Sequence, residues 1–173
     1  VLISWIKMNN LEVAISATSG IAAILLYLSR NTHNIFKLSF HPNSESVCNV
    51  KKQSEMAKFL SEISLAIIDE GLMLDRLLCY EAIERTMRDV VPDEHQSKKF
   101  GGKIMLISGD FRQLLPVIEK GNRSAIFNHT IKKSALWDNV ETLKLTQNMR
   151  VYNEKVKYPN NIEFHQELEN HEK

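Results

Sequence analysis

The stretch Leu-Ala-Ile-Ile-Asp-Glu, residues 65–70, decides the predicted fold. Four consecutive apolar residues are typical of a strand buried on both faces, and such strands occur in parallel sheets that helices cover. Residues 11–16, 103–108 and 142–145 are further candidate strands. The segments between them carry apolar residues at spacings of three and four, as amphipathic helices do. The pattern predicts an α/β fold with a mostly parallel sheet flanked by helices.

The composition is that of an ordinary globular domain. The chain has 173 residues, of which 43% are hydrophobic and 25% are charged. A net charge of +1 predicts no strong overall attraction to nucleic acid, although a neutral domain can still carry a local basic strip. Cys48 and Cys79 lack CxxC spacing, so we expect two buried apolar residues in a reducing compartment. The longest apolar run, residues 21–28, is too short to span a bilayer, and no membrane partner is expected.

Helices and loops are predicted between the candidate strands from periodicity and turn residues. We expect helices at residues 1–8, 21–28, 56–63, 75–91, 123–128 and 132–137, and loops at residues 30–50 and 92–99.

Polar residues follow the candidate strands, and ligands bind at the carboxyl ends of the strands in open parallel sheets. Of the pair Asp69 and Glu70, the first carboxylate can hold a hydrated magnesium ion and the second can deprotonate water. The alternative is an acidic pair that caps the next helix. Gln113 can bind a terminal phosphate or water, and its alternative is an ordinary surface turn. Arg150 can neutralise charge on a phosphoryl group, unless it is a solvated surface residue.

The end of the first strand offers groups that suit a phosphate. Thr18, Ser19 and Gly20 combine small hydroxyls with backbone N–H groups, which can bind a nucleotide or a DNA strand. The alternative is a simple helix N-cap. His33 and Phe36 in the following loop could contact and stack on a base. A loop histidine is more often a plain surface residue.

In chain order, these motifs resemble the Pif-type DNA helicases, most of all the branch found with Helitron-type mobile elements. The resemblance covers residues 13–150 and rests on AISATSGIAAILL, H-x-x-F, IIDE, YEAIERTMRDV, FGGKIMLISGDFRQLLPVIEKGNRS and LKLTQNMR. It implies a RecA-like P-loop NTPase fold and a superfamily 1B helicase that uses ATP to move 5′ to 3′ on single-stranded DNA. It also implies roles in DNA repair, recombination and telomere maintenance, and a location in the nucleus, with the mitochondrion as the alternative.

The resemblance assigns roles to the candidate catalytic residues by position. Asp69 matches the Walker B acid that binds magnesium, and Glu70 matches the catalytic base. Gln113 matches the motif III phosphate sensor, and Arg150 matches the motif IV arginine finger. The implied cofactors are ATP and Mg²⁺.

A second group of residues matches the DNA-binding motifs of the family. Thr18, Ser19 and Gly20 match the motif that grips the DNA backbone, and His33 with Phe36 match the next DNA-contacting motif. The implied partners are single-stranded DNA and duplex junctions, bound by a monomer.

The sequence also departs from the family pattern, because it contains no G-x-x-x-x-G-K-[ST] loop. We therefore expect residues 1–150 to form a partial first motor domain (domain 1A), without the phosphate-binding loop or the second motor domain. Residues 151–173 are expected to be a polar, disordered tail. Two alternatives stay open at this point. One is a catalytically dead, transposon-derived protein that binds single-stranded DNA, and the other is a magnesium-dependent phosphatase or nuclease that uses Asp69, Glu70 and Asp110 without ATP.

Overall fold

The computed structural model describes residues 2–26, 28–39, 43, 45–113, 115–118, 121–146 and 149. It divides into two units, residues 1–139 and 140–173. The first unit contains a four-stranded, all-parallel sheet in the order β2-β1-β3-β4, which confirms the predicted α/β class. The strands are β1 (Val13–Ala17), β2 (Arg30–Asn31), β3 (Leu65–Asp69) and β4 (Ile104–Ile107).

Seven α-helices accompany these strands in the described part of the chain. They are α1 (Leu2–Met8), α2 (Gly20–Leu25), α3 (Thr32–Phe36), α4 (Glu55–Glu62), α5 (Glu81–Val90), α6 (Asp93–Gln96) and α7 (Arg123–Asn128). None of the described helices is long and apolar enough to cross a membrane.

Strand β3 lies inside the sheet, and its side chains separate the core into two hydrophobic clusters. Ala66 and Ile68 belong to the larger cluster, which also contains fully buried residues of α4, α5 and the turn before α5. Leu65 and Ile67 point to the opposite face and pack in a smaller cluster with Ile6 of α1. Because strand side chains alternate between faces, a continuous apolar run is what a strand with both faces covered requires.

The register of the sheet places the polar ends of the strands at one edge. Ala17 of β1 pairs with Asp69 of β3, and Ile68 of β3 pairs with Ile107 of β4. The residues that follow β1, β3 and β4 therefore leave the sheet side by side.

Several predicted elements differ from the structure. The predicted helix at residues 75–91 is interrupted, because Arg76–Tyr80 form a π-helical turn before α5 begins at Glu81. The Asp75 side chain accepts the N–H groups of Leu77 and Leu78 and so fixes the start of that turn. The predicted loop at 30–50 contains β2 and α3, and the predicted loop at 92–99 contains α6.

The predicted strand at residues 142–145 is wrong, because these residues form no regular secondary structure. Leu143 and Leu145 are 77% and 100% exposed, so the segment lacks the apolar burial that stabilises a strand. The predicted helix at 132–137 is also replaced by two 3₁₀ turns, Ile131–Lys133 and Trp137–Asn139. The predicted tail at 151–173 lies outside the described residues.

Candidate active site

The β3 end, defined here as residues 69–71, carries the two carboxylates that the sequence singles out. Asp69 is the last residue of β3, and both Asp69 and Glu70 are partly exposed. The Asp69 Oδ1 atom accepts a hydrogen bond from the Ser108 hydroxyl at 2.5 Å. Ser108 follows β4 directly, so the neighbouring strand fixes the orientation of the Asp69 carboxylate.

The backbone of Glu70 adopts a left-handed conformation, with φ 53° and ψ 28°. This conformation is uncommon for a residue with a side chain and costs on the order of 1–3 kcal/mol, so surrounding contacts must hold it. The Glu70 carbonyl accepts the Thr18 hydroxyl at 3.0 Å and the Met73 N–H at 3.2 Å. The Thr18 N–H also donates to the Asp69 carbonyl at 3.1 Å. Strand β1 therefore supports the Asp69–Glu70 pair from the side opposite β4.

Gly71 completes the β3 end in a position that has no room for a side chain. Its N–H donates to the Ser108 carbonyl at 2.9 Å, and its carbonyl accepts the buried Tyr80 hydroxyl at 2.7 Å. A Cβ atom at Gly71 would lie 2.5 Å from the Tyr80 hydroxyl oxygen and 2.6 Å from the Ile107 Cγ2 atom. The tight packing behind Gly71 determines where the chain turns after Glu70.

The β4 turn, defined here as residues 110–113, carries Gln113 to the same edge of the sheet. Gln113 is exposed, and its backbone N–H donates to the Asp110 carbonyl at 3.0 Å. Hydrogen bonds from the backbone N–H and the side chain of Arg112 hold the pKa of the exposed Asp110 carboxyl below its ordinary value of 3.8. Asp110 is thus engaged within its own turn.

One aromatic contact ties the β4 turn to a distant part of the chain. The rings of Phe111 and Trp137 meet edge to face, with centroids 5.9 Å apart and an interplanar angle of 81°. The Lys132 Nζ atom lies 3.8 Å from the centre of the Phe111 ring. This arrangement is a cation–π contact between an exposed lysine and a partly buried ring.

Thr18 and Ser19 lie between β1 and α2 and Gly20 begins α2, but the three residues have different surroundings. Ser19 is the N-cap of α2, because its Oγ atom accepts the Ala22 N–H at 3.1 Å. Thr18 is turned towards the β3 end. Gly20 is exposed, and no atom lies within 4 Å of the place that a Cβ atom would occupy.

His33 and Phe36 belong to α3 and not to an irregular loop. Phe36 is 1% exposed and forms part of the larger hydrophobic cluster. The prediction that Phe36 stacks on a base is therefore wrong for this structure, because its ring is enclosed by protein. His33 is partly exposed, and burial of the imidazole lowers its pKa below the ordinary value of 6.5. Arg150, the predicted arginine finger, lies outside the described residues.

Two functional candidates were not foreseen from the sequence, Ser108 and Asn31. The Asn31 amide donates to the Thr18 carbonyl at 3.2 Å, and its Oδ1 atom accepts the His33 N–H at 2.9 Å. Asn31 thus connects α3 to the loop after β1. The N-cap role of Asn31 could have been found from the sequence, because asparagine is common just before a helix. The bond to Thr18 could not, because it depends on the pairing of β1 with β2.

The carboxylates at the β3 end fit a magnesium ion that nucleotide phosphates help to bind. Mg²⁺ keeps several waters and is usually held by one or two carboxylates together with phosphate oxygens. Within the described part of the chain, no group of three or more His, Cys, Asp or Glu side chains could hold a metal by itself. Asp69 and Glu70 supply two carboxylates at a partly exposed strand end. This arrangement matches a magnesium site that is completed by water and by phosphate oxygens.

Comparisons with known proteins point to one family. The family model for PIF1-like helicases matches residues 1–170. An ATP-dependent DNA helicase PIF1 of Emericella nidulans is 29% identical over 118 residues, which are 68% of this chain and 15% of that protein. An ATP-dependent DNA helicase Pif1 of Bdellovibrio bacteriovorus is 28% identical over 151 residues, which are 84% of this chain and 32% of that protein. The chain therefore spans a third or less of the length of these relatives.

A solved structure supports the same assignment. The Pif1 helicase from Bacteroides in complex with ADP-AlF3 and single-stranded DNA aligns with 70% of this chain and 29% of its own, at 28% identity and a TM-score of 0.56. This similarity confirms the RecA-like fold that the sequence motifs imply. Since the family model matches nearly every residue, the chain belongs to the PIF1-like helicase family.

Proposed function

We propose that this chain is part of the first motor domain of an ATP-dependent DNA helicase that moves 5′ to 3′ on single-stranded DNA. The observation that carries the proposal is the position of Asp69 and Glu70, which lie at a sheet edge between hydrogen bonds from Thr18 and Ser108. Ligands of open parallel sheets bind at this edge. Relatives with the names of ATP-dependent DNA helicases support the choice of ligand.

The roles of the side chains follow from their surroundings. Magnesium, when bound, would neutralise charge on the phosphates of ATP. Asp69 would hold the ion through the carboxylate that Ser108 orients. Glu70 would accept a proton from the attacking water, because its carboxylate is partly exposed while its backbone is fixed. Gln113 would sense the terminal phosphate from the exposed β4 turn, and Arg150 would act as the arginine finger.

The DNA-binding part of the proposal involves the loop after β1 and α3. Ser19, Gly20 and His33 would contact single-stranded DNA and duplex junctions. The Bacteroides protein, which was solved with single-stranded DNA, supports this choice of partner. We further propose a monomer that acts in the nucleus, or alternatively the mitochondrion, in DNA repair, recombination and telomere maintenance.

The 173 residues alone are proposed to hydrolyse little ATP, because they contain no G-x-x-x-x-G-K-[ST] loop. In nucleotide hydrolases of this type, the backbone N–H groups and the lysine of that loop cradle the phosphates. The test therefore uses a protein that joins these residues to such a loop and to a second motor domain. Both can be taken from the Bdellovibrio relative, of which this chain covers 32%.

The experiment measures ATP hydrolysis with and without single-stranded DNA for Glu70→Gln. We expect kcat to fall about 100-fold or more, since a general base contributes roughly that factor. Glu12→Gln is the matched control, because Glu12 is exposed and precedes β1 at the opposite end of the sheet. The control should keep full activity.

Two outcomes would contradict the proposal. Hydrolysis that persists in Glu70→Gln would show that Glu70 is not the base. An intact joined protein that binds single-stranded DNA but hydrolyses no ATP would favour the catalytically dead, transposon-derived alternative.

A further inference from the structure

We propose that Thr18 is a positioning residue that links the DNA-binding loop to the catalytic base, while its neighbour Ser19 provides the contact to DNA. This inference rests on the proposed function, because its readout is ATP hydrolysis. It departs from the sequence motif, which assigns both hydroxyls to the DNA backbone.

The Thr18 hydroxyl has a single proton to donate. A hydroxyl group donates one hydrogen bond, and phosphate oxygens only accept. In the structure, Thr18 donates to the Glu70 carbonyl at 3.0 Å, and the Met73 sulfur, a much weaker acceptor, lies 3.7 Å away. Thr18 therefore cannot donate to a DNA phosphate without releasing Glu70.

The Ser19 hydroxyl is in a different situation. Its oxygen accepts the Ala22 N–H and so caps α2. Its own proton has no acceptor among the described residues, and the side chain is partly exposed. Ser19 can therefore donate to a phosphate without breaking a contact within the protein.

The bond from Thr18 acts on a residue whose backbone needs support. Glu70 has a φ of 53°, which is costly for a residue with a side chain. The Thr18 hydroxyl and the Met73 N–H both bind its carbonyl, and only the first comes from a distant part of the chain. The Gly71 N–H holds the other side of the same peptide through the Ser108 carbonyl, so loss of the Thr18 bond frees this peptide on the β1 side only and loosens the position of the carboxylate.

Asn31 extends this connection to the second DNA-binding segment. Its amide donates to the Thr18 carbonyl at 3.2 Å, and its Oδ1 atom caps α3 through the His33 N–H. A shift of either DNA-binding segment therefore reaches Thr18, and Thr18 passes it to Glu70. The structure thus provides a continuous hydrogen-bonded path from the proposed DNA contacts to the catalytic base.

The test compares substitutions of Thr18 with Ser19→Gly in the joined protein described above. Thr18→Val keeps the shape of the side chain and removes the donor. We expect its kcat at saturating single-stranded DNA to fall about three- to tenfold, the effect of one lost hydrogen bond, and its DNA affinity to change less than twofold. Thr18→Ser should restore kcat, and Thr18→Cys, with a weaker donor, should lie between Ser and Val.

Ser19→Gly should show the opposite behaviour. Glycine is tolerated at an N-cap at a cost of a few tenths of a kcal/mol, so α2 should be retained. We expect the DNA affinity to fall about threefold or more, and kcat at saturating DNA to fall by a smaller factor than in Thr18→Val. Ser61→Ala serves as a hydroxyl control on α4, where Ser61 donates only to the Lys58 carbonyl.

The outcomes separate this inference from the proposed function. If Glu70→Gln abolishes hydrolysis but Thr18→Val keeps full kcat, the coupling is wrong and the helicase assignment stands. If Thr18→Val weakens DNA binding at unchanged kcat, Thr18 contacts DNA directly and the inference is also overturned. If the valine variant does not fold, the kcat values of Thr18→Ser and Thr18→Cys are compared with each other. A lower kcat for the cysteine variant supports the donor role, and equal values would contradict it.

Discussion

The β3 end and the β4 turn contribute to the same proposed site, but they are held in place in different ways. Residues 69–71 form hydrogen bonds with Thr18 and Ser108, which are 52 and 39 residues away from their respective partners in the chain. The hydrogen bonds of residues 110–113 are formed within the turn itself, for example between Arg112 and Asp110. The sheet therefore fixes the first segment, whereas the second segment has mostly local support.

This difference fits the two proposed roles. A catalytic base is effective when it is held within hydrogen-bonding reach of one water molecule. A sensor must respond to its ligand, and segments that move on binding come from the less stable parts of a fold. Glu70 is held in a left-handed conformation by β1 and by its own turn, while Gln113 is exposed. The backbone of the proposed base is thus held by more distant contacts than the backbone of the proposed sensor.

The largest effect is expected from a methyl group placed behind the β3 end. In Gly71→Ala, the added Cβ would meet the Tyr80 hydroxyl and Ile107 at 2.5 and 2.6 Å. Overpacking of this kind should lower the free energy of unfolding by about 1–3 kcal/mol. Urea denaturation of the chain, followed by circular dichroism, measures this change.

Gly20→Ala is the matched control for that substitution. The space around Gly20 is open, and the residue starts α2, so alanine should leave stability unchanged or raise it by up to about 1 kcal/mol. Equal destabilisation by the two alanines would show that the β3 end is no more tightly packed than the loop after β1.

A smaller effect is expected at the β4 turn, where Lys132 covers Phe111. Lys132→Met keeps a long side chain and removes the charge, so the free energy of unfolding should fall by about 0.5–1 kcal/mol. Because the Lys132 charge lies 3.8 Å from the centre of the Phe111 ring and 6.0 Å from that of Trp137, its loss should change the emission of Trp137. The measurement uses tryptophan fluorescence in a Trp5→Phe background, because Trp5 is the only other tryptophan in the sequence.

Lys133→Met provides the control, since Lys133 lies 4.9 Å from the Phe127 ring and not against Phe111. It should cost a similar amount of stability and leave Trp137 emission unchanged. An unchanged Trp137 signal in Lys132→Met would mean that the aromatic contact does not depend on the cation.

Much of the fold could be predicted from the sequence because the central strands, β1 and β3, are buried on both faces. Uninterrupted apolar runs at residues 65–68 and 104–107 marked two of the predicted strands, and the structure places strands at both. The run at 142–145 contains a lysine between two leucines, and nothing in its local pattern revealed that both leucines would be exposed. The π-helical turn at Arg76–Tyr80 was also missed, because the apolar spacing continues through it.

The site was partly predictable for a related reason. Asp69 and Glu70 stand directly after an apolar run, so their place at the sheet edge follows from the strand alone. The contacts from Thr18, Asn31 and Ser108 depend on which strands are neighbours and on their register, which no local pattern contains. The same limitation led to the wrong expectation for Phe36, whose burial results from the packing of α3.

The smallest effect is expected for the ion pair within the β4 turn. Arg112 lowers the pKa of Asp110, first through its backbone N–H and then through its side chain. Arg112→Ala removes only the side-chain contribution, so the pKa should rise part of the way towards 3.8. A carboxyl whose pKa is lowered in the folded state stabilises the fold above its unfolded pKa, and this contribution is lost as the pH falls through the folded value. NMR titration of the Asp110 carboxyl measures the shift, with Arg123→Ala as the control, because Arg123 is exposed.

A complete return of the Asp110 pKa to the ordinary value would mean that the guanidinium, and not the turn backbone, organises these residues. A partial rise of the pKa would instead show that the turn keeps its shape without the ion pair. The β3 end and the β4 turn would then differ in how far apart in the chain their hydrogen-bond partners lie, and not in how many hydrogen bonds they form.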